Sequence, residues 1–192
     1  MSQESKKPRI FVTGHTRGIG KAVFDLYKSK NYFCYGVSKS EGLDVDTDCD
    51  TIVQQMANFK YIVLNAYAKD SQLRMLKAII DQYQNDEKHI AVITSTSGTQ
   101  AGMDSSLKQQ EYNWYCKNKK ELIEFIEKAQ QDLYDKPIQI YDVCPDTVDT
   151  DMSNGLWEEY PKLDAMDVAE CVDMCFSKSY NINKIVIQKN AK

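Results

Sequence analysis

The sequence predicts an α/β fold, doubly wound, with helices on both faces of a mostly parallel sheet of about seven strands. Two observations carry that expectation. Short apolar runs alternate with amphipathic stretches of helical length along the chain. Three of the 8 glycines fall between Gly14 and Gly20, directly behind the first apolar run, where a strand-to-helix turn belongs. Strands alternating with helices imply right-handed crossovers and hence parallel pairing. Such Rossmann-like sheets bind ligands at the carboxyl ends of their strands.

Arg9–Thr13 reads as the first strand and Gly18–Lys30 as the helix behind it. Phe33–Ser38 is a strand, Asp48–Asn58 a helix and Tyr61–Asn65 a strand. Leu73, Leu76, Ile79, Ile80 and Tyr83 recur at helical spacing and mark a helix over Ser71–Gln84. His89–Ser95 is a strand; Glu111–Tyr134 is the longest helix, ending before Lys136-Pro137. Ile138–Val143 is a strand, Asp167–Ser177 a helix and Lys184–Gln188 the last strand. No repeat or low-complexity linker interrupts residues 1–192, which read as one domain.

A chain 42% hydrophobic and 27% charged is globular rather than disordered. Its 24 basic and 28 acidic side chains give a net charge of −4 with no basic block, which argues against nucleic acid as a partner. No apolar run approaches the ~18 residues of a membrane span. MSQESKKPR has no apolar region of the kind a signal peptide needs. The 6 cysteines include no C-x-x-C pair and the chain has 2 histidines, so no metal site is expected. Cys171 and Cys175, four apart on a helix, read as two buried apolar side chains. The pattern suits a reduced, cytoplasmic protein.

The glycine turn has a chemistry of its own. Gly14 permits a tight turn off the strand, and Gly18 and Gly20 let backbone approach a phosphate and let the helix pack on the sheet. The helix N-terminus favours a pyrophosphate. The spacing, Gly-x-x-x-Gly-x-Gly, is neither the commonest dinucleotide fingerprint nor a triphosphate loop, and a glycine-rich turn without ligand is the plain alternative.

Thr13-Gly14-His15-Thr16-Arg17-Gly18-Ile19-Gly20 resembles the TGxxxGIG fingerprint of the short-chain dehydrogenase/reductase family. The resemblance implies a dinucleotide held by Thr13, Gly14, Thr16, Arg17, Gly18, Ile19 and Gly20. Where the second strand ends, an acid suits the ribose hydroxyl of NAD and a base the 2′-phosphate of NADP. Here Ser38-Lys39-Ser40 supplies hydroxyls and a charge, and Arg17 a second charge on the same side, so the expected cofactor is NADP(H). Leu43-Asp44-Val45 resembles the family's acidic adenine-contacting motif, giving Asp44 and Val45; Asp44 reads equally as a helix cap. Leu64-Asn65-Ala66-Tyr67 resembles Asn-Asn-Ala-Gly, with Asn65 and Ala66 kept and Tyr67 in place of the glycine, where it narrows the nicotinamide side of the cleft.

Tyr115 and Lys119, four residues apart, share one helical face. A free tyrosine titrates near 10, and a nearby ammonium favours its phenolate. The pair matches the family's YxxxK, which implies Tyr115 as acid–base group and Lys119 as its activator and a ribose ligand. Ser95, in Ser95-Thr96-Ser97-Gly98, aligns with the serine that holds the carbonyl oxygen, with Ser97 as the second choice. Tyr115 lies farther along from Ser95 than in the family, so Gly102–Gln110 reads as an insertion at the rim. Pro145-Asp146-Thr147-Val148-Asp149-Thr150 resembles the family's Pro-Gly-x-Val-x-Thr, with Asp146 replacing glycine, and adds Pro145, Val148 and Thr150 to the cofactor contacts.

The resemblance covers roughly residues 9 to 188 and departs at one place. Only residues 66–88 separate Asn65 from the next strand, and the family's fourth catalytic residue, an Asn in a proton relay, has no counterpart; Asn85 falls in a polar turn. The helices around this gap form the family's usual oligomer interface, which leaves homodimer and tetramer both open. Met152–Leu163, with Trp157, Glu158, Glu159 and Tyr160, is a short substrate lid or an edge of the core. The sequence thus implies an NADPH-dependent oxidoreductase acting on a small carbonyl or alcohol. The alternative is an NADP(H)-binding module with little turnover, motivated by the absent Asn, Tyr67 and Asp146.

Overall fold

The computed structural model describes residues 7–99, 107–155, 158 and 161–190, with the backbone alone for residues 107–110. Eleven elements follow in order: β1 (Arg9–Thr13), α1 (Gly18–Ser29), β2 (Phe33–Val37), α2 (Cys49–Gln55), β3 (Tyr61–Leu64), α3 (Ser71–Tyr83), β4 (His89–Ile93), α4 (Leu107–Asp132), β5 (Gln139–Pro145), α5 (Ala165–Ser177) and β6 (Lys184–Ile187). The strands form one sheet in the order β2-β1-β3-β4-β5-β6, parallel throughout. The chain leaves β1 in one direction to β2 and returns past it to β3, so the switch point lies between β1 and β3.

Alternate residues of these strands go to opposite faces. Ile10, Val12, Val63, Ala91, Ile93, Tyr141 and Val143 pack against α1 and α5 through Val23, Tyr27, Val168, Val172 and Cys175. Phe11, Ile62, Leu64, Ile90, Val92 and Ile140 pack against α2, α3 and α4 through Ile52, Val53, Leu76, Ile79, Leu122 and Ile126. Burial on both faces is why the strands are continuous apolar runs rather than alternating ones. Cys175 is buried and Cys171 half-buried against the same cluster.

The sheet has six strands among the described residues, not seven. Another parallel strand beside β2 would need a crossover of a dozen or more residues. Residues 38–48, between β2 and α2, hold only the 3-10 turn Lys39–Glu41, Gly42 in the left-handed region at φ +93°, and a bend. β2 is therefore the sheet edge, with Phe33 and Tyr35 partly exposed and the Arg9 guanidinium 5.0 Å from the Phe33 ring.

Other boundaries move by about a turn, each with a cause. α2 tightens into a 3-10 turn over Met56–Asn58, where buried Lys88 donates to the carbonyls of Met56 (3.2 Å), Ala57 (2.9 Å) and Phe59 (3.1 Å). α5 starts at Ala165 because the Asp167 carboxylate reaches back to the Asp164 N–H at 2.9 Å. α4 starts at Leu107 and absorbs part of the predicted Gly102–Gln110 insertion; residues 100–106 lie outside the described residues.

Gly20 carries the contact between α1 and the sheet. A Cβ there would lie 2.1 Å from the Gly14 carbonyl oxygen and 2.6 Å from Asn65 Nδ2. Backbone must move to admit it, so Gly20→Ala is expected to lower the unfolding free energy by about 3 kcal/mol, read from a denaturant midpoint with unchanged slope. A loss below about 0.5 kcal/mol would mean that α1 shifts freely.

Candidate active site

All strands point the same way, so their carboxyl ends share one edge. Five of the segments singled out in the sequence leave from it: residues 14–20 after β1, 38–45 after β2, 65–67 after β3, 95–98 after β4 and 145–150 around the end of β5.

The crossings after β1 and β3 are tied at the switch point. The buried Thr13 hydroxyl accepts from the N–H groups of Asn65 (2.9 Å) and Ala66 (3.1 Å) and lies 3.3 Å from the Val63 carbonyl, to which it donates. Asn65 Nδ2 donates to the carbonyls of Thr13 (3.2 Å) and Gly14 (3.4 Å). The Gly14 N–H donates to the Val37 carbonyl at 2.7 Å, which adds β2. Gly14 and Gly18 lie in the left-handed region (φ +71° and +53°), where a side chain would be strained. A Cβ on Gly18 would meet Thr150 Cγ2 at 3.2 Å, so the loop after β5 closes on the glycine turn. Thr16 is exposed there, and Ile19 packs half-buried on the core.

The basic residues at this end carry acidic partners. Arg17, in extended backbone ahead of α1, lies 3.6 Å from Asp151, both side chains exposed. Lys39 is 2.7 Å from Asp44; the bond raises the lysine and lowers the carboxyl from their ordinary values. Ser38, 6% exposed, is 3.0 Å from the Ser40 hydroxyl and donates to Glu41 at 3.3 Å. Val45 is buried in the core, and Ala66 is half-buried.

His15 went unmarked in the sequence. Its ring lies over Gly36, where a Cβ would come within 2.1 Å of it. It packs on Phe24 at 4.8 Å between centroids, and Nε2 is 3.2 Å from Glu41. The readable signal was a glycine inside a strand, which marks close approach from another group.

The other half of the edge carries Ser95, Tyr115 and Lys119. Tyr115 and Lys119 lie one turn apart on α4, with the ammonium 5.5 Å from the centroids of both the Tyr115 and Tyr67 rings. Burial pushes Tyr115 up to about 12, and a hydrogen bond with Ser95 acts the other way. The Tyr112 hydroxyl instead donates to Ser97 at 3.1 Å, so the two serines face different tyrosines. Tyr67 stands edge-on to Tyr115 at 4.9 Å and accepts from Asn118 Nδ2 at 3.2 Å. Asp146 accepts from the Thr96 hydroxyl at 3.1 Å, pinning the loop behind Ser95 to the end of β5. Pro145 ends β5, and Val148 is bridged to Leu163 and 7% exposed. Of the predicted lid, Trp157, Glu159 and Tyr160 lie outside the described residues.

Lys119 is 3% exposed and donates to Gln72 Oε1 at 2.6 Å and the Ile93 carbonyl at 2.8 Å. Burial brings it from 10.5 down to about 7. Gln72, in the first turn of α3, was also missed; one polar residue ahead of a helical apolar pattern has no spacing signature.

No family model and no curated protein matches the sequence. Solved structures do. A short-chain dehydrogenase/reductase from Vibrio parahaemolyticus superposes with a TM-score of 0.76 over 95% of this chain and 100% of its own, at 18% identity. The fold is that of the short-chain dehydrogenase/reductases. A short-chain dehydrogenase from Burkholderia cenocepacia in complex with NADP gives 0.74 over 95% and 89%, at 15% identity. The 3-alpha-hydroxysteroid dehydrogenase of a Pseudomonas species, complexed with NADH, gives 0.74 over 93% and 94%, also at 15%. No described helix is long and apolar enough to cross a membrane.

Within this fold the buried lysine leaves a thermodynamic mark. Between pH 7 and 10.5 the unfolded chain binds a proton that folded Lys119 lacks, so this group's contribution to stability rises with pH. Its burial cost is complete below about pH 7 and gone above the unfolded value. The unfolding free energy of wild type minus that of Lys119→Met is expected to climb across this window by up to about 1.4 kcal/mol per pH unit. A flat difference in urea titrations at pH 7, 8 and 9 would show that Lys119 titrates as an ordinary lysine.

Proposed function

We propose that the protein is an NADPH-dependent oxidoreductase that reduces a small carbonyl compound, or oxidises the corresponding alcohol. The observation that carries this reading is the meeting of Ser95, Tyr115 and Lys119 on the strand edge that also holds the glycine turn. A binding fold alone has no use for a buried tyrosine–lysine pair beside a serine. The solved structures support the cofactor: those of similar fold include proteins crystallised with NADPH and with NADP, besides the one with NADH.

The residues fit a dinucleotide. At Gly14, Gly18 and Gly20 the turn presents bare backbone beside the N-terminus of the 12-residue helix α1. Thr13 and Asn65 shape that turn, while Thr16, Ile19, Val148 and Thr150 flank it, with Pro145 setting the path of the last two. Arg17, Lys39 and Ser38 are the groups for a 2′-phosphate, and Asp44, Val45 and Ala66 lie on the adenosine side. When bound, the cofactor supplies the hydride. Ser95 donates to the carbonyl oxygen and orients it. Tyr115 passes its phenolic proton to that oxygen as charge develops there. Charged Lys119 favours the phenolate left behind, offsetting the burial that holds Tyr115 high. Hydride plus proton converts carbonyl to alcohol.

Two measurements test the reading. In a fluorescence titration NADPH binds more tightly than NADH, and Arg17→Ala with Lys39→Ala weakens NADPH about tenfold or more while leaving NADH nearly unchanged; equal losses for both would remove the 2′-phosphate assignment. Tyr115→Phe is expected to cut turnover about 100-fold or more with cofactor affinity retained. Turnover that survives it intact contradicts the role given to Tyr115, and wild-type binding without any turnover would favour the binding-module reading.

A further inference from the structure

We infer that Gln72 is a positioning residue for Lys119: anchored on the ends of β3 and β4, its side-chain amide fixes the lysine ammonium behind Tyr115. The inference rests on the proposed role of the Tyr115–Lys119 pair. Gln72 is 4% exposed, and Nε2 donates to the Leu64 carbonyl at 2.8 Å and the Ile93 carbonyl at 3.0 Å. Carbonyls only accept, so the amide nitrogen must face them. The oxygen is then left for Lys119, which only donates, at 2.6 Å. A flipped amide would set an oxygen against two carbonyls and an NH2 against an ammonium. The network therefore has one orientation.

That orientation decides what the lysine can do. Among the described residues, Gln72 and the Ile93 carbonyl take two of its three N–H groups, leaving one for a partner in the cleft. The other titratable groups around it are Tyr67 and Tyr115, whose rings it faces, and Asp142 and Cys144 on β5, whose influence on it is through space. Asp142 is itself held by the Thr94 hydroxyl and by Lys184 at 3.2 Å. Among the described residues no carboxylate bonds the ammonium, and Gln72 Oε1 is the side-chain atom that accepts a hydrogen bond from it. Bonds from a charged donor are stronger than those from the neutral amine, so removing the acceptor favours the amine.

The test uses full-length protein carrying 13C-labelled lysine. The Lys119 side-chain resonance is assigned by its loss in Lys119→Met and followed against pH in wild type, Gln72→Met and Gln72→Glu. Methionine keeps the length but offers no strong acceptor, and its midpoint should fall by about 1–2 pH units. Glutamate keeps an acceptor, and its midpoint should stay at or above that of wild type. Turnover with NADPH should drop about tenfold or more in kcat for Gln72→Met, more than KM changes, and recover at least partly in Gln72→Glu. Equal midpoints in all three proteins, or the same fall in both variants, would overturn the inference. Should Gln72→Met fail to fold, Gln72→Asn, one methylene too short to reach the lysine and both carbonyls, is expected to show the same fall, and an unmoved midpoint there counts against the inference. If wild type shows no turnover while the midpoint still follows residue 72, the proposed activity fails and the contact stands.

Discussion

The Thr13 hydroxyl is the point on which the site depends. It accepts from two successive N–H groups, those of Asn65 and Ala66, and so fixes the chain leaving β3 against the chain leaving β1. Asn65 returns the tie through its side-chain amide. Parallel strands diverge where their ladder stops, and here β1 leads to one side of the sheet and β3 to the other. Without a clamp the crevice between them has no fixed width. With it, Gly14 and Gly18 hold their left-handed conformations, Gly20 sits against the Gly14 carbonyl, and α1 begins at a set distance from the sheet. Thr13 and Asn65 are, through these hydrogen bonds, the frame of the crevice, as the resemblance of Asn65 to a strand-tying Asn implies.

A second constraint is electrostatic. An ammonium taken out of water beside a phenol raises the cost of folding, and the chain offsets it with neutral acceptors instead of a carboxylate. A directly bonded carboxylate would hold Lys119 charged at any pH and compete with Tyr115 for its influence. An amide and a backbone carbonyl leave the lysine easily discharged in the free protein. On the proposed reading, the phosphates of a bound cofactor would favour its charged form, and the acidity of Tyr115, pushed up to about 12 by the same burial, would follow. Lys88 shows the same device in a purely structural role: three carbonyls at the end of α2 take its three N–H groups, and burial still lowers its pKa.

What was legible in the sequence follows from which contacts are local. The helical repeat of Leu73, Leu76 and Ile79 and the apolar runs of the strands are local, and their elements form where the pattern places them. The seventh strand was expected from the fold class, whereas residues 38–48 are too few for the crossover it needs; chain length there outweighed the pattern. Motif residues such as Tyr115 and Lys119 sit one turn apart and announce themselves. Gln72 and His15 do not, because their partners are far away along the chain: Gln72 meets Lys119 47 residues on, and His15 meets Gly36 and Glu41 across the edge of the sheet. A lone Gln or His carries no spacing. Only the negative space was visible, in a strand glycine with no other reason to be there.

On the proposed reading, the charged pairs near the ends of β1 and β2 are partners that a phosphate can exchange. Arg17 faces Asp151 and Lys39 faces Asp44, which looks at first like neutralised cations with nothing to offer a phosphate. Both cationic side chains are more than three-quarters exposed, and exposed pairs of this kind hold weakly against water and salt. A phosphate offers more acceptor oxygens and more charge than a single carboxylate, and Arg engages it through two parallel bonds. Asp151, 76% exposed, returns to water at little cost, whereas Asp44, 20% exposed, keeps the Asp46 N–H at 3.0 Å. Ser38 is different: it is buried, and its hydroxyl is turned to Ser40 and Glu41. Reorienting it also frees Glu41, whose remaining partner is the His15 ring over Gly36. The Ser38 hydroxyl and the His15 ring thus meet on one carboxylate, that of Glu41, at the end of β2.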